Sequence, residues 1–225
     1  MVFGGLIRQR VIWFPTWRGI VALGALLALI GILLATSIHP FLAVDRPVGG
    51  EILVVEGWLS KRGLTRAIST FRDGGYQRLL TTGVRIPAGS YVGDFYPDYR
   101  TFAELSAAVF REAGVDSDLV VAVSTPDVKR DRTYASGLAI RKWLDETGSR
   151  VQAVDVLSGG PHARRTWLLF HLALGDRVQV GVIGQRPTAY DPDRWWTSST
   201  GVRTVIGEAI AYGYTKFFFF PSNEH

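Results

Sequence analysis

After a long apolar segment near the N-terminus, short apolar runs alternate with longer segments in which apolar residues recur at helical spacing. This alternation predicts parallel strands joined by crossover helices. The predicted strands are residues 52–55, 78–81, 119–123, 151–157 and 178–183. The predicted helices are residues 59–72, 99–113, 132–146, 162–174 and 201–216. The expected fold class is therefore α/β, a Rossmann-like doubly wound domain with a mainly parallel five-stranded sheet.

The apolar segment at residues 19–38 contains no charged residue and is about as long as a helix that crosses a hydrocarbon core of roughly 30 Å. It predicts one transmembrane helix. Arg8, Arg10 and Arg18 precede it, and basic residues stay on the cytoplasmic side. A cleaved signal peptide is the alternative, but its apolar core is usually only about 7–15 residues long. We therefore predict a single-pass protein of the inner (cytoplasmic) membrane with its C-terminal domain outside the cytoplasm.

The predicted organisation is a cytoplasmic segment at 1–18, the membrane helix at 19–38, a linker at 39–50 and the extracytoplasmic domain at 51–225. Three of the 25 basic residues precede the membrane helix and all 20 acidic ones follow it, so the domain has a net charge of only +2. A nucleic acid is therefore not an expected partner. The phenylalanines at 217–220 are interpreted as packing of a terminal element rather than as a membrane contact.

In an open parallel sheet, ligands bind beyond the carboxyl ends of the strands. The first two predicted strands lead there to Glu56, Gly57, Thr82 and Gly83, and the helix after the third starts at Arg132 and Thr133. Arginine forks, hydroxyls and glycine turns suit a phosphorylated or otherwise anionic ligand. For the glycines and Thr133, ordinary turn and capping roles are an equally good interpretation.

The fourth strand leads into Ser158-Gly-Gly-Pro-His162-Ala-Arg-Arg165, which predicts a helix whose first turn carries a histidine and two arginines. Pro161 suits the first turn of a helix, and unpaired amides at such an end attract anions. His162 and Arg165 are three positions apart and share one helical face. This segment predicts a phosphate or carboxylate site.

No metal site is expected. His162 and His171 are nine residues apart and face opposite sides of a helix, and the chain has no cysteine. Walker, His-Glu-x-x-His and Gly-x-Ser-x-Gly motifs are absent from the sequence.

Taken together, the apolar anchor, Thr82-Gly83, Thr133-Tyr134, the segment 158–165 and a late helix bearing Glu208 resemble the ElyC/SanA/YdcF family of bacterial envelope-associated proteins. The most specific part is the similarity of 158–165 to the family's Thr/Ser-x-x-x-His-x-x-Arg pattern. Two departures matter. Arg132-Thr-Tyr-Ala135-Ser136 stands where the family has Asn-Thr-x-Glu-Asn, and Glu56-Gly-Trp58 stands where it has a Leu-Gly-Gly turn. Either Glu56 replaces the missing acid, or catalysis has been lost.

The resemblance implies a role in cell-envelope biogenesis, in the setting of cell-wall precursors and their lipid carrier, with no established reaction and no required cofactor. The leading hypothesis is binding of a phosphate-bearing small molecule or lipid-linked precursor, with phosphoryl hydrolysis or transfer as the reaction class if the protein is an enzyme. In that case His162 acts as general acid/base or nucleophile with Glu56 and Glu208 as its partners, while Arg132 and Arg165 hold the anion. The alternatives are a non-catalytic scaffold for envelope proteins and a binder of a nucleotide-like ligand such as S-adenosylmethionine.

Overall fold

The structure is a computed structural model that describes residues 13–221 of the chain. The chain separates into two compact units, with the division between Ser37 and Ile38. Arg8 and Arg10, on which the predicted membrane orientation partly depends, lie outside the described residues.

The first helix, α1, covers Trp17–Leu42, and its most apolar stretch has a mean hydropathy of 2.5. By length and composition it could cross a membrane. It extends beyond the predicted segment 19–38 and includes Pro40, which the sequence assigned to the linker. The added turn is held because His39 and Leu42 are buried and Arg164 donates from its Nε to the carbonyl of Phe41. The non-helical linker is correspondingly shorter than residues 39–50.

The second unit contains one five-stranded sheet, and every strand pairing in it is parallel. The strand order is β3-β2-β1-β4-β5. This confirms the predicted α/β class. The strands are β1 (Ile52–Glu56), β2 (Arg78–Gly83), β3 (Val120–Ser124), β4 (Ala153–Gly159) and β5 (Gln179–Gln185).

The helices pack on both faces of the sheet because alternate strand residues point to opposite sides. Leu53 and Val55 face a core that includes α2 and α4, whereas Ile52 and Val54 face one that includes α5 and α6. In the strand order, β2 and β3 lie on one side of β1, and β4 and β5 lie on the other. The order therefore reverses between β1 and β4, which defines the switch point of the sheet. The helices of this unit are α2 (Lys61–Asp73), α3 (Tyr91–Phe95), α4 (Phe102–Glu112), α5 (Arg132–Glu146), α6 (Ala163–Leu174) and α7 (Ser199–Phe218).

Most elements lie within a few residues of the sequence prediction, and α5 has the predicted bounds. The short helix α3 was not predicted, because five residues are too few to show a helical period; Ser90 caps it by accepting from the Gly93 N–H. The predicted helix at 99–113 starts later, at Phe102, because Thr101 and Glu104 form a capping box there.

A buried carboxylate ties the linker to the sheet. Asp155 of β4 is fully buried and accepts hydrogen bonds from the backbone N–H groups of Val48 (2.7 Å), Gly49 (3.0 Å) and Gly50 (3.1 Å). The Tyr76 hydroxyl donates to the same side chain at 3.0 Å. Burial, and next the charge of Asp155, raise the pKa of Tyr76 well above its usual value. This phenol therefore keeps its proton and supplies the fourth hydrogen bond to Asp155, while the three backbone donors hold the linker against β4.

Candidate functional site

A cleft of about 640 Å³ opens at the carboxyl ends of β1 and β2, beside the switch point. In the sheet Glu56 lies opposite Thr82, so β1 and β2 bring these two side chains to the same edge. Helices α5, α6 and α7 contribute the other walls. The predicted site residues that line the cleft are Glu56, Thr82, Gly83, Arg132, Thr133, His162, Arg165 and Glu208.

Two predicted ligand-binding residues, Gly57 and Ser158, do not line the cleft. A Cβ on Gly57 would lie 2.5 Å from the carbonyl oxygen of Phe102 and 2.7 Å from that of Thr82, so only glycine fits between these backbones. Gly83 lines the cleft, but a Cβ there would also meet Phe102, at 2.6 Å. These two glycines are therefore explained by close packing against the start of α4.

Ser158 is fully buried behind the cleft and contacts Glu56 instead of open space. Its hydroxyl donates to Glu56 Oε2 at 2.5 Å, and Thr166 donates to Glu56 Oε1 at 3.3 Å. Two hydroxyls thus fix the orientation of a carboxylate that is only 3% exposed. A buried carboxylate needs such donors, since burial without them costs several kcal/mol.

His162 lies between two carboxylates from different elements. Its Nδ1 is 2.9 Å from Glu208 Oε1 on α7, and its Nε2 is 3.6 Å from Glu56 Oε1 on β1. Arg165 binds Glu208 with two nitrogens, Nε to Oε2 at 2.9 Å and Nη2 to Oε1 at 3.1 Å. The shared helical face of His162 and Arg165 is therefore where α6 meets α7.

The same Nδ1 is also 2.8 Å from Arg165 Nη2, and it cannot both donate to Glu208 and accept from Arg165. The charges decide between the two. With a neutral imidazole, the two carboxylates and one guanidinium leave one uncompensated negative charge in a mostly buried site, whereas an imidazolium balances it. We therefore assign the Nδ1 proton to the bond with Glu208, and the contact with Arg165 is a close approach of two donors that Glu208 holds together.

Burial lowers the pKa of His162, but the charge of Glu56 and the hydrogen bond to Glu208 outweigh it and raise the pKa to about 9. Burial likewise opposes the charged form of Glu208, but hydrogen bonds from His162 and Arg165 lower its pKa to about 2. At neutral pH the histidine is a cation. A nucleophilic or basic role for a neutral imidazole, as the sequence allowed, is thus disfavoured. The available proton is on Nε2, which faces Thr133 Oγ1 at 3.4 Å and Glu56.

A basic loop, Lys129–Arg132, forms another wall of the cleft. The side chains of Lys129, Arg130 and Arg132 are exposed, and none forms an ion pair within residues 13–221. Asp131 in this loop has φ +54°, the sole positive φ of a described non-glycine residue. Strain of this kind is often kept where a loop must present particular groups.

The loop leads directly into α5, whose N-terminus lies at the same cleft. The first backbone N–H groups of a helix have no partner within it, so such an end attracts anions. Asp131 is the N-cap residue but makes no side-chain capping bond, and Arg132 and Thr133 of the first turn line the cleft. The predicted anion-binding end at 160–162 is different. Gly160 and Pro161 are buried, form a 3-10 turn ahead of α6 and do not line the cleft. The N-terminus of α6 contributes His162 and Arg165, which are both bonded to Glu208, whereas the cations beside the α5 N-terminus have no ion-pair partner among the described residues.

Sequence reasoning missed several lining residues. Trp58 is half-exposed and lies edge-on to the His162 ring at a centroid distance of 5.2 Å. Tyr214 and Thr215 come from α7, four residues before its end. The same rule that selected Glu56 placed this tryptophan after the end of the first strand, but it was not among the predicted site residues. The α7 residues carry no local sequence signal, because only the docking of that helix places them there.

No group of three or more histidine, aspartate and glutamate residues suited to a metal ion occurs within residues 13–221. No protein-family model matches the chain, and no curated protein matches it.

Proposed function

We propose that the cleft binds a phosphate-bearing ligand and that the cluster of His162, Glu56 and Glu208 hydrolyses or transfers its phosphoryl group. The observation that carries this proposal is that three cations without an ion-pair partner among the described residues, and the N-terminus of α5, line the same cleft as His162. With His162 protonated, five cationic side chains and three carboxylates line the cleft, a net charge of +2. That balance suits an anion with two negative charges.

The size of the cleft indicates a ligand larger than inorganic phosphate. A volume of about 640 Å³ is within the range of small-molecule sites, and Trp58, Phe102 and Leu169 supply apolar walls. A ligand with a ring or an apolar group attached to its phosphate fits this combination. Both a lipid-linked phosphate and a nucleotide are ligands of this kind, because each carries an apolar or ring-containing group on its phosphate.

The proposed reaction uses two proton carriers. Water attacks phosphorus and gives its proton to Glu56, while the bond to the leaving oxygen breaks and that oxygen receives the Nε2 proton of His162. Glu56 then returns its proton to His162, whose Nε2 is 3.6 Å away. Arg130 and Arg132 stabilise charge on the phosphoryl oxygens. Glu208 is a positioning residue, because it holds Nδ1 and leaves Nε2 toward the cleft.

The biological setting is a proposal of the same kind. The resemblance to the ElyC/SanA/YdcF family, together with α1, supports a single-pass protein that acts in the cell envelope with the cleft outside the cytoplasmic membrane. The orientation can be tested with two reporters fused to the C-terminus of the full chain. One reporter is active only inside the cytoplasm, and the other is active only outside it.

Arg132→Ala should weaken binding of inorganic pyrophosphate by about 10- to 100-fold, since a hydrogen bond to a charged group contributes about 1.5–3 kcal/mol. Isothermal titration of the full chain in detergent measures this. Lys142→Ala is the matched control, because Lys142 is an exposed cation on the same helix and pairs with Glu146 at 3.7 Å. Equal affinities for the wild type and the Arg132 variant would exclude the basic loop as the anion site.

Ser158→Ala should lower turnover of a phosphate ester by about tenfold with little change in KM, because it removes one donor that orients Glu56. Thr81→Val is the control: Thr81 is also a fully buried hydroxyl, but it donates to the carbonyl of Ala103 at 2.8 Å, away from the cleft. Both variants should lose similar stability in thermal unfolding. An equal loss of turnover in the two would mean that Ser158 acts on stability alone.

One observation favours a non-catalytic role for the same cleft. Each of the buried polar side chains among the described residues has a hydrogen-bond partner, so the cluster of His162, Glu208 and Arg165 is already satisfied without ligand. A sensor or scaffold of envelope proteins would use the basic loop for ligand binding and the cluster for support. Pyrophosphate binding without phosphate release from any phosphate ester or diphosphate tested would favour this alternative.

A further inference from the structure

Helix α7 is apolar on the side that faces away from the domain. Its buried residues are Gly201, Val205 and Thr215, and Glu208 lies on that same inward side. The exposed large apolar residues of α7 and the segment after it are Val202, Ile206, Ile210, Tyr214, Phe217, Phe218 and Phe220. Those at 202, 206, 210 and 217 recur at helical spacing, so they form one stripe opposite the inward side.

This outward stripe is not explained by packing within the domain. Ile210 and Phe217 are each 69% exposed and Phe220 is 83% exposed. Of the four phenylalanines, Phe219 is the one that packs inward, with its ring 5.3 Å from that of Tyr134. The interpretation of 217–220 as terminal packing therefore holds for Phe219. Phe218 stacks on Tyr214 at a ring distance of 6.4 Å but is 69% exposed, and packing leaves Phe217 and Phe220 largely exposed as well. A helix with both sides apolar requires something to cover the outer one.

Two observations point to a lipid surface as that cover. Tyr212 of α7 contacts Phe41 with a ring distance of 5.6 Å, and Phe41 is in the last turn of α1, the helix that could cross a membrane. The middle of α7 is thus tied to the residues where the chain would leave the bilayer. The charges agree, since Arg203 and Lys216 are exposed on α7 while its one carboxylate, Glu208, is paired inside. Such a helix suits an anionic lipid interface.

We propose that the outward stripe of α7, with Phe217, Phe218 and Phe220, lies in the interface of the bilayer in which α1 is anchored. Tyr214, four residues after Ile210, also lines the cleft, so the mouth of the cleft borders the lipid surface. The inference rests on membrane anchoring by α1 and not on the chemistry of the cleft. An experiment can therefore contradict the lipid contact of α7 without contradicting the proposed function, and the reverse.

The absence of cysteine allows single spin labels to be placed at will. The full chain is reconstituted as one copy per nanodisc of phosphatidylcholine and phosphatidylglycerol, with Ile206→Cys or Ile210→Cys labelled by a nitroxide. Collision rates with oxygen, which concentrates in lipid, and with a water-soluble nickel complex are then compared. Leu172→Cys on α6 is the control, because Leu172 is 42% exposed and belongs to a different helix.

We expect the labels at 206 and 210 to collide several-fold more with oxygen relative to nickel than the label at 172. Similar ratios at all three positions would overturn the proposal. The proposal would also be overturned if the labels at 206 and 210 were protected from the nickel complex only in discs that hold two copies of the chain. That result would indicate self-association through α7 instead. Phosphate binding by each labelled protein reports separately on the cleft.

Discussion

His162→Ala should lower turnover of the best phosphate-ester substrate by about 10²- to 10⁴-fold, which is the usual contribution of a positioned general acid. The expected loss is large because the side chain supplies both the Nε2 proton and a positive charge between Glu56 and Glu208. Phosphate release by the full chain in detergent, measured against pH, checks this. Wild-type turnover should fall as the pH rises through about 9, where His162 loses its proton, and the variant should lack that dependence.

His171→Ala is the matched control. It removes a second histidine from the same helix, one that is exposed and contacts the Trp167 ring at 5.6 Å instead of lining the cleft. Turnover of this variant should equal that of the wild type. If His162→Ala also retained wild-type turnover, His162 would have no part in the reaction.

Asp155→Ala should destabilise the domain by about 3–5 kcal/mol, because it removes four hydrogen bonds and leaves the buried Gly50 N–H without its acceptor. Urea unfolding followed by tryptophan fluorescence, on the full chain in detergent, measures the free energy of unfolding. Asp145→Ala is the control, since Asp145 is half-exposed and pairs with Arg177 at 3.3 Å on the surface. Asp145→Ala should change the free energy of unfolding by no more than about 0.5 kcal/mol. A similarly small effect at Asp155 would contradict its role as the clamp on the linker.

The fold could be predicted because each strand and helix has its own local signal. Continuous apolar strands and amphipathic helices such as α5 were located from periodicity, and the alternation of the two required parallel pairing. The rule that ligands meet strand ends at the switch point then selected Glu56, Thr82 and His162 without any contact information.

The parts that could not be predicted depend on contacts between elements distant in the sequence. Ser158 was expected to bind ligand, but the register of β1 and β4 places its hydroxyl on Glu56. Protonation of His162 follows from Glu56 and Glu208, which come from two other elements. The α6 end looked free in sequence, but its first residue, Ala163, is buried, and so are Gly160 and Pro161 in the 3-10 turn before it.

The proposed function needs His162 as a cation that faces an anion site, and titration of His162 by NMR is the sharpest test of this state. The chain has four histidines, so labelling the imidazole nitrogens of the full chain and comparing with His162→Ala assigns the signal. We expect a pKa near 9 that rises further when pyrophosphate is added, because bound negative charge favours the imidazolium. A pKa near the ordinary 6.5 that pyrophosphate leaves unchanged would contradict it.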